Sequence, residues 1–394
     1  MTPAELKQLE VDLWSSADTL RANSDLKSSE YATPVLGLIF LKFVDNKYRR
    51  HEAEIQQEYT KLRGGRREKP LKTIALEKCG FYLMDEARYD YLLALPEEEN
   101  IAQKVKAAMV SIEQNTPELE GTLPQDEYFR LVKTKTEKGD STTFDNSIVK
   151  RLLQNFNNIP ANAPGDMFGQ IYQYFLGKFA LAEGQGGGEF FTPDSVVRLM
   201  VEIIQPTNGR VFDPACGSGG MFVQAGRFMQ EQACAWGTQP DFYVCGQEKT
   251  METVKLAKMN IAVNGLKGDI KQANTYYEDE FESFGAFDYV LANPPFNVDD
   301  VNLSRVETEE RFNTYGVPRK KTKVKKGDEG KQTVPNANYL WINLFATSLK
   351  DQGRAGLVMA NSASDARHSE ADIRRTLVEQ GLNYGMVTLT SNML

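Results

Sequence analysis

The feature that most constrains the fold is an alternation of short β-rich runs with helical stretches in the second half of the chain. Six such runs occur, at residues 210–215, 242–248, 269–274, 287–292, 354–360 and 384–390. Strands that alternate with helices are joined by crossover connections, which place the strands parallel to one another. The sequence therefore predicts an α/β fold with a Rossmann-like, doubly wound sheet.

The first part of the chain has a different pattern, with apolar residues at helical spacing. Leu6, Leu9 and Leu13 follow steps of three and four residues. A second run extends the apolar surface around its helix, as in a buried bundle member, and consists of Leu36, Leu38, Ile39, Phe40, Leu41, Phe43 and Val44. Core packing explains both runs, so we assign them no chemistry. We predict an all-α N-terminal domain over residues 1–163 and a catalytic α/β domain over 164–394.

Composition and charge exclude several classes of protein. The four cysteines form no CxxC pair and only two histidines occur, so we expect neither a disulfide framework nor a metal site. No apolar stretch is long enough to cross a bilayer, and we expect a cytoplasmic protein without a membrane partner. The net charge of −8 opposes strong independent binding of DNA. If DNA is the substrate, a basic partner is expected to help hold it.

A small-residue turn follows the first β-rich run, where residues 211–220 read VFDPACGSGG. In an open parallel sheet, ligands bind beyond the carboxyl ends of the strands, and a glycine-rich first turn is where a nucleotide-like molecule approaches the backbone. The glycines do not follow the dinucleotide pattern GxGxxG, and Asp213 can attract the ammonium group of a methionine moiety. Both observations favour S-adenosylmethionine over NAD as the cofactor. The alternative is that the turn binds no ligand and only joins a strand to a helix. The candidate cofactor-binding residues are Asp213, Ala215, Gly217, Ser218, Gly219 and Gly220.

Glu248 ends the second predicted strand and is a further candidate. A carboxylate at that place can accept hydrogen bonds from both hydroxyls of a ribose. The alternative is a solvated glutamate at a strand end.

The fourth β-rich run ends in Asn293, Pro294, Pro295 and Phe296. The lone pair of an amino group on a nucleobase is delocalised into the ring, so a catalyst must localise it before methyl transfer. The side-chain oxygen of Asn293 and the carbonyl of Pro294 are two acceptors suited to this task, and the proline rings restrict the backbone that aims them. Phe296 offers a flat face for a base flipped out of the duplex. We therefore predict that these four residues are catalytic, against the alternative of a proline turn that ends a buried strand.

Two questions stay open at this point. The same acceptors suit adenine N6 and cytosine N4. The basic run Arg319 to Lys326 (RKKTKVKK) is either a solvated loop or a contact to DNA phosphates beside the active site.

In their order along the chain, these motifs resemble those of the modification subunits of type I restriction-modification systems. The resemblance includes Phe190 to Pro193, Asp213 to Gly220, Glu248 and Asn293 to Phe296. It extends to Asp12-Leu13-Trp14, residues 31–45, Asn338-Tyr339-Leu340-Trp341, residues 353–361 and Ile373-Arg374-Arg375, so it covers nearly the whole chain. It implies a DNA adenine-N6 methyltransferase that works with a specificity subunit and, in the nuclease assembly, with a restriction subunit.

The resemblance also implies roles for individual residues. The Thr192 segment would contact the methionine carboxylate, Asp213 the methionine portion, Glu248 the ribose and Asn274 the adenine of the cofactor. The segment comprises Glu189, Phe190, Phe191, Thr192, Pro193 and Asp194. Many relatives carry an acid at the position of Asn274, so the amide is a departure from their pattern.

A second departure concerns the end of the chain. Relatives continue beyond the segment that resembles 387–394 with another strand, which would insert between the last two predicted here. We therefore expect an incomplete sheet with weakened stability or activity. A catalytically silent scaffold that binds the specificity subunit is one alternative function, and a protein-glutamine methyltransferase is another, although such enzymes have a smaller helical domain. An NAD-dependent oxidoreductase does not explain Asn293 to Phe296.

Overall fold

The structure is a computed structural model that describes residues 1–22, 26–96, 98–136, 142–163, 165–182, 192–237, 241–320 and 332–389. Packing divides the chain into two compact units. The first comprises residues 1–187 with 258–265, and the second comprises 188–257 with 266–394. The domain boundary at residue 163 stays a prediction, because packing alone does not show which segments fold independently. None of the described helices combines the length and apolar character needed to cross a membrane.

The first unit is mainly helical. Its helices are α1 (Pro3–Ala22), α2 (Ser28–Leu62), α3 (Leu71–Cys79), α4 (Tyr89–Ala94), α5 (Ile101–Asn115), α6 (Ser147–Phe156) and α7 (Gly165–Ala182). The apolar run predicted as a buried helix lies in α2, where Leu36, Ile39 and Phe40 are fully buried. A loop at residues 63–70 separates α2 from α3.

One element of the first unit was not predicted. The strands β1 (Lys133–Thr136) and β2 (Thr142–Asp145) pair in antiparallel fashion. Each strand has only four residues, and neither shows the apolar alternation by which a half-buried strand is recognised. The prediction of an all-α N-terminal region is therefore correct for its helices and missed this hairpin.

The second unit has the predicted α/β architecture. Its strands are β3 (Gly209–Asp213), β4 (Phe242–Glu248), β5 (Gly268–Gln272), β6 (Phe287–Ala292) and β7 (Leu349–Leu357). Its helices are α8 (Asp194–Ile204), α9 (Gly220–Trp236), α10 (Met251–Val263, shared between the units), α11 (Leu303–Val306), α12 (Glu310–Asn313), α13 (Asn338–Ser348) and α14 (Ser369–Glu379). The sheet order is β5-β4-β3-β6-β7, and all neighbouring strands are parallel.

Five of the six predicted β-rich runs correspond to these strands, with ends that shift by a few residues. The sixth prediction is wrong for residues 384–389, which form no strand, and Thr390 lies outside the described residues. A strand needs a hydrogen-bonded neighbour, and no described segment pairs with this one. Its apolar side chains at Tyr384, Met386 and Val387 are consequently exposed.

The core of the sheet lies between its central strands. Phe212 on β3 and Phe287 on β6 stack with ring centroids 4.4 Å apart and an interplanar angle of 9°. Both side chains are buried, together with Cys245, Val290 and Phe345. This core fixes β3 against β6, the two strands that carry the candidate motifs at their carboxyl ends.

Candidate active site

The two candidate motifs lie at the place where the strand order reverses. The chain runs from β3 outward through β4 to β5 and then returns to β6 on the other side of β3. The loops after β3 and β6 therefore diverge to opposite faces of the sheet and leave a crevice between them, which is the usual ligand site of open α/β sheets. Asp213 ends β3, and Asn293 directly follows β6.

The turn after β3 is a tight, buried loop. The Oδ1 atom of Asp213 accepts a hydrogen bond of 2.9 Å from the backbone N–H of Ala215. Gly217 and Gly219 have φ angles of +51° and +80°, a left-handed conformation that side chains rarely adopt. A Cβ atom at Gly220 would meet no atom within 4 Å, so open space lies beside the first residue of α9. The N–H groups of Ala215, Cys216, Gly217 and Gly219 already donate within the protein, so a ligand can approach this turn at the open space beside Gly220.

Glu248 holds this turn from the neighbouring strand. Its Oε2 atom accepts from the backbone N–H of Gly217 at 3.2 Å, and its Oε1 atom accepts from that of Thr250 at 3.0 Å. Each carboxylate oxygen can accept more than one hydrogen bond, so this arrangement leaves acceptor capacity for a hydroxyl pair. Sequence reasoning did not anticipate the bond to Gly217.

A second support of the turn comes from residues that the sequence did not single out. The hydroxyl of Thr275 donates to the carbonyl oxygen of Pro214 at 2.6 Å, and it accepts from Nε2 of the buried Gln247 at 2.8 Å. The loops after β3 and β5 are therefore joined. Asn274, beside Thr275, is partly buried, and its Oδ1 atom accepts from the N–H of Tyr276 at 3.3 Å.

Burial changes the acidity of Asp213. The side chain is 1% exposed, and burial raises its pKa well above the ordinary value. The hydrogen bond from Ala215 opposes this rise, and the nearby Glu248 carboxylate adds to it. An ionised carboxylate in such surroundings is costly unless a cation pairs with it, so the site favours a positively charged ligand group.

We expect Asp213→Asn to raise stability in the absence of ligand while it lowers affinity for a positively charged ligand group. The pKa of Asp213 is higher in the folded than in the unfolded protein. The free energy that this group contributes to folding is therefore fully present below the unfolded pKa of about 3.9 and is lost as the pH rises through the folded pKa. The asparagine can still accept from Ala215 and has no such loss. The melting temperature of the variant should exceed that of the wild type at pH 7, by about 2–4 °C for each kcal/mol of relief.

If that ligand is S-adenosylmethionine, as the sequence predicts, the same variant should bind it about tenfold to a hundredfold more weakly, as expected for the loss of a hydrogen-bonded charge pair. Differential scanning calorimetry between pH 4 and pH 8 and titration calorimetry give the two values. A variant that melts below the wild type at pH 7, with a gap that does not change with pH, would contradict the assignment of a strained buried acid.

Asn293 is held in a defined orientation. Its Nδ2 atom donates to the hydroxyl oxygen of Thr192 at 3.1 Å, 101 residues away in the sequence. Its Oδ1 atom is buried and has no hydrogen-bond partner among the described residues. A buried acceptor without a donor costs about 1–3 kcal/mol, and such groups are retained where a ligand supplies the donor.

The rest of the motif is placed by the polypeptide around it. Pro294 is buried, whereas Pro295 and Phe296 are partly exposed. Asn297 has a φ of +55°, and its Oδ1 atom accepts from Nδ2 of Asn336 at 3.1 Å, from Nδ2 of Asn338 at 3.0 Å and from the hydroxyl of Ser362 at 3.1 Å. Its backbone N–H donates to Oδ1 of Asn338 at 2.9 Å. These hydrogen bonds fix the backbone directly after the motif. The only sequence signal for them is that asparagine tolerates a left-handed backbone conformation.

The remaining predicted site residues either lie outside the described part of the chain or flank the two motifs. Glu189, Phe190 and Phe191 lie outside the described residues, as do positions 321–326 of the basic run. Ser218 is buried in the turn, and Asp194 is the exposed first residue of α8, after the partly buried Pro193. Arg319 donates to Glu307 at 2.8 Å. Within the described ranges, no three histidine, cysteine or acidic side chains converge as metal ligands.

Comparison with known proteins gives two family matches. The model of the N-6 DNA methylase family matches residues 163–394, and that of the HsdM N-terminal domain matches residues 9–150. The first match covers more than half of the chain. It includes the turn after β3 and the motif after β6, so the residues of the candidate site belong to one recognised domain.

Curated relatives agree with these matches. The chain is 32% identical over 397 residues to the type I restriction enzyme MjaIX methylase subunit of Methanocaldococcus jannaschii, which covers 96% of this chain and 66% of the relative. It is also 32% identical over 295 residues to the HindI methylase subunit of Haemophilus influenzae, which covers 74% of this chain and 62% of the relative. The chain therefore spans slightly less than two thirds of the length of these proteins.

Solved structures share the fold. The methyltransferase subunit of a type I restriction-modification system from Streptococcus thermophilus superposes with a TM-score of 0.73 at 22% identity, over 95% of this chain and 79% of that one. A modification subunit of a putative type I restriction enzyme from Vibrio vulnificus gives a TM-score of 0.56 at 19% identity, over 94% and 75%. At these identities the likeness concerns the fold alone.

Proposed function

Since this chain belongs to the N-6 DNA methylase family, among the modification subunits of type I restriction-modification systems, we propose that it methylates the N6 amino group of adenine in DNA with S-adenosylmethionine. The observation that carries the proposal is the buried Oδ1 atom of Asn293, an acceptor without a donor, at the crevice where the strand order reverses. An adenine amino group supplies the missing donor. The choice of adenine over cytosine rests on the family.

We place the cofactor beside the turn after β3. The buried Asp213 carboxylate suits the ammonium group of the methionine portion, the open space beside Gly220 allows a close approach to the backbone, and Glu248 retains acceptor capacity for the ribose. We assign cofactor binding to Asp213, Ala215, Gly217, Ser218, Gly219, Gly220, Glu248 and Asn274, and to Glu189, Phe190, Phe191, Thr192, Pro193 and Asp194. When bound, S-adenosylmethionine supplies an electrophilic methyl group on a sulfonium ion.

The chain's own residues prepare the amino nitrogen for attack. The adenine must leave the base stack to reach the motif, and the partly exposed ring of Phe296 offers a face on which it can rest. Oδ1 of Asn293 and the carbonyl oxygen of Pro294 accept hydrogen bonds from the two amino hydrogens. These bonds draw the nitrogen lone pair out of conjugation with the ring and would aim it at the methyl group of the cofactor. With S-adenosylmethionine bound, its methyl group would pass to this nitrogen and leave S-adenosylhomocysteine, and the methylated nitrogen would release one proton to solvent while Asn293 and Pro294 hold the amino group.

The acidic chain requires help to hold DNA. A net charge of −8 repels a polyanion, so we assign tight and sequence-specific DNA binding to a specificity subunit, and cleavage to a restriction subunit in the full complex. We propose that the protein meets this substrate in the cytoplasm. The match to the HsdM N-terminal domain over residues 9–150 disfavours the protein-glutamine methyltransferase, and nothing in the site favours a silent scaffold.

We expect N6-methyladenine in the DNA of cells that express this chain with its neighbouring specificity subunit. Because Phe296 holds the flipped base, the Phe296→Ala variant should lower the amount of methylated adenine about tenfold or more, as the loss of one base-stacking ring is worth about 1–3 kcal/mol. Mass spectrometry of nucleosides measures both. Methylcytosine instead of methyladenine would refute the proposed reaction. Equal amounts of methylated adenine with the wild type and with Phe296→Ala would refute the proposed role of Phe296.

A further inference from the structure

The amide of Asn293 has two chemically different ends, and only one of them can assist methyl transfer. The oxygen accepts hydrogen bonds, whereas the NH₂ group only donates them. A rotation of the amide by 180° would turn the NH₂ group toward the amino group of the base, so that two donors would face each other. The reaction therefore needs a partner that keeps the amide in one orientation.

Thr192 occupies the position of that partner. Its hydroxyl oxygen accepts from Nδ2 of Asn293 at 3.1 Å, while Oδ1 of the same amide has no partner among the described residues. The bond satisfies the donor end of a partly buried amide and leaves the acceptor end for the substrate. Both residues belong to the second unit, and Thr192 lies two residues before the start of α8, which anchors its backbone.

We propose that Thr192 is a positioning residue for catalysis, which sets the orientation of the Asn293 amide. The inference rests on the proposed function and is distinct from the contact to the methionine carboxylate that the family resemblance implies for this segment. The two roles make different kinetic predictions. A residue that only binds the cofactor changes the KM for the cofactor, whereas a residue that orients the amide changes kcat at saturating cofactor.

The first test compares Thr192→Val with Thr192→Ser in the complex with the specificity subunit, at saturating S-adenosylmethionine and DNA. Valine has the shape of threonine but no hydroxyl, whereas serine retains the acceptor. We expect kcat to fall by about tenfold to a hundredfold in the valine variant. This loss lies between the effect of removing an ordinary hydrogen bond and the effect of removing a group that contacts the transition state. The serine variant should remain within about threefold of the wild type. An unchanged kcat with a raised KM for S-adenosylmethionine would overturn the proposal.

The second test repeats Thr192→Val in an Asn293→Asp background. A carboxylate has two equivalent oxygens, so its rotation does not replace an acceptor with a donor. If Thr192 acts through the orientation of the amide, its loss in this background should change kcat by at most about threefold, and the double-mutant cycle should show strong coupling. Equal losses in both backgrounds would indicate a merely structural role and overturn the proposal.

The outcomes also separate this inference from the proposed function. A wild-type complex that binds S-adenosylmethionine but methylates no adenine would contradict the proposed function, and the inference with it. A wild-type complex that methylates adenine, together with a valine variant of normal kcat, would contradict only the role of Thr192.

Discussion

Replacement of Asn293 by alanine should lower kcat for DNA methylation by about 10²–10³, the usual cost of removing one preorganised hydrogen-bonding group from a polar transition state. The amide oxygen is a buried acceptor without a partner among the described residues, so its loss removes the group that we propose localises the lone pair of the amino nitrogen. The fall should appear equally in kcat and kcat/KM, because the interaction reaches full strength only in the transition state.

A methylation assay with radiolabelled S-adenosylmethionine measures this effect on oligonucleotide duplexes. Titration calorimetry should show unchanged cofactor affinity. The matched control is Asn383→Ala, which makes the same substitution at an exposed residue beyond α14 and should leave kcat unchanged. If Asn293→Ala retained more than about a tenth of the wild-type kcat, the amide would not be the principal acceptor.

Replacement of Phe212 by alanine should destabilise the second unit by about 3–5 kcal/mol, the usual cost of emptying a buried aromatic site. Phe212 is 1% exposed on the central strand β3 and stacks on Phe287 with ring centroids 4.4 Å apart. It also contacts the ring of Phe281 edge-on at 6.1 Å. Such a loss is a large fraction of the 5–15 kcal/mol by which a typical domain is stable.

Urea denaturation followed by circular dichroism measures the loss as a lower transition midpoint. Phe284→Ala is the matched control, since that phenylalanine is 51% exposed and the same substitution should cost no more than about 0.5 kcal/mol. Because Asp213 follows Phe212 directly, the destabilised variant should also bind S-adenosylmethionine more weakly near its transition. Similar midpoints for both variants would mean that the stack between β3 and β6 contributes little to the core.

The local pattern of the sequence was sufficient to place the site on the sheet. Strands end where apolar β-branched runs meet turn residues, so the sequence pattern alone predicts that Asp213, Glu248 and Asn293 lie at or directly after strand ends. The helical spacing around Leu36 and Phe40 likewise predicted a buried helix. These are properties of a few consecutive residues, and the periods of helix and strand make them visible in one sequence.

The same reasoning failed in two cases: a strand-like segment that has no neighbouring strand, and a pair of strands too short to show a pattern. The segment 384–389 has a strand-like composition, but no described strand pairs with it. The hairpin of β1 and β2 consists of two short polar strands, and it forms through backbone pairing that its side-chain pattern does not announce. Strand composition is thus neither necessary nor sufficient, because the ladder hydrogen bonds of a strand are made with a neighbouring strand.

The sequence by itself determined the fold class, the family and the residue types of the site, since these follow from periodicity and from motifs of adjacent residues. Only the tertiary structure decided which polar atoms meet. Thr192 and Asn293 are 101 residues apart, Gly217 and Glu248 are 31 apart, and Asn297 and Ser362 are 65 apart. Such contacts depend on strand order and loop closure across the whole unit, which no local pattern encodes.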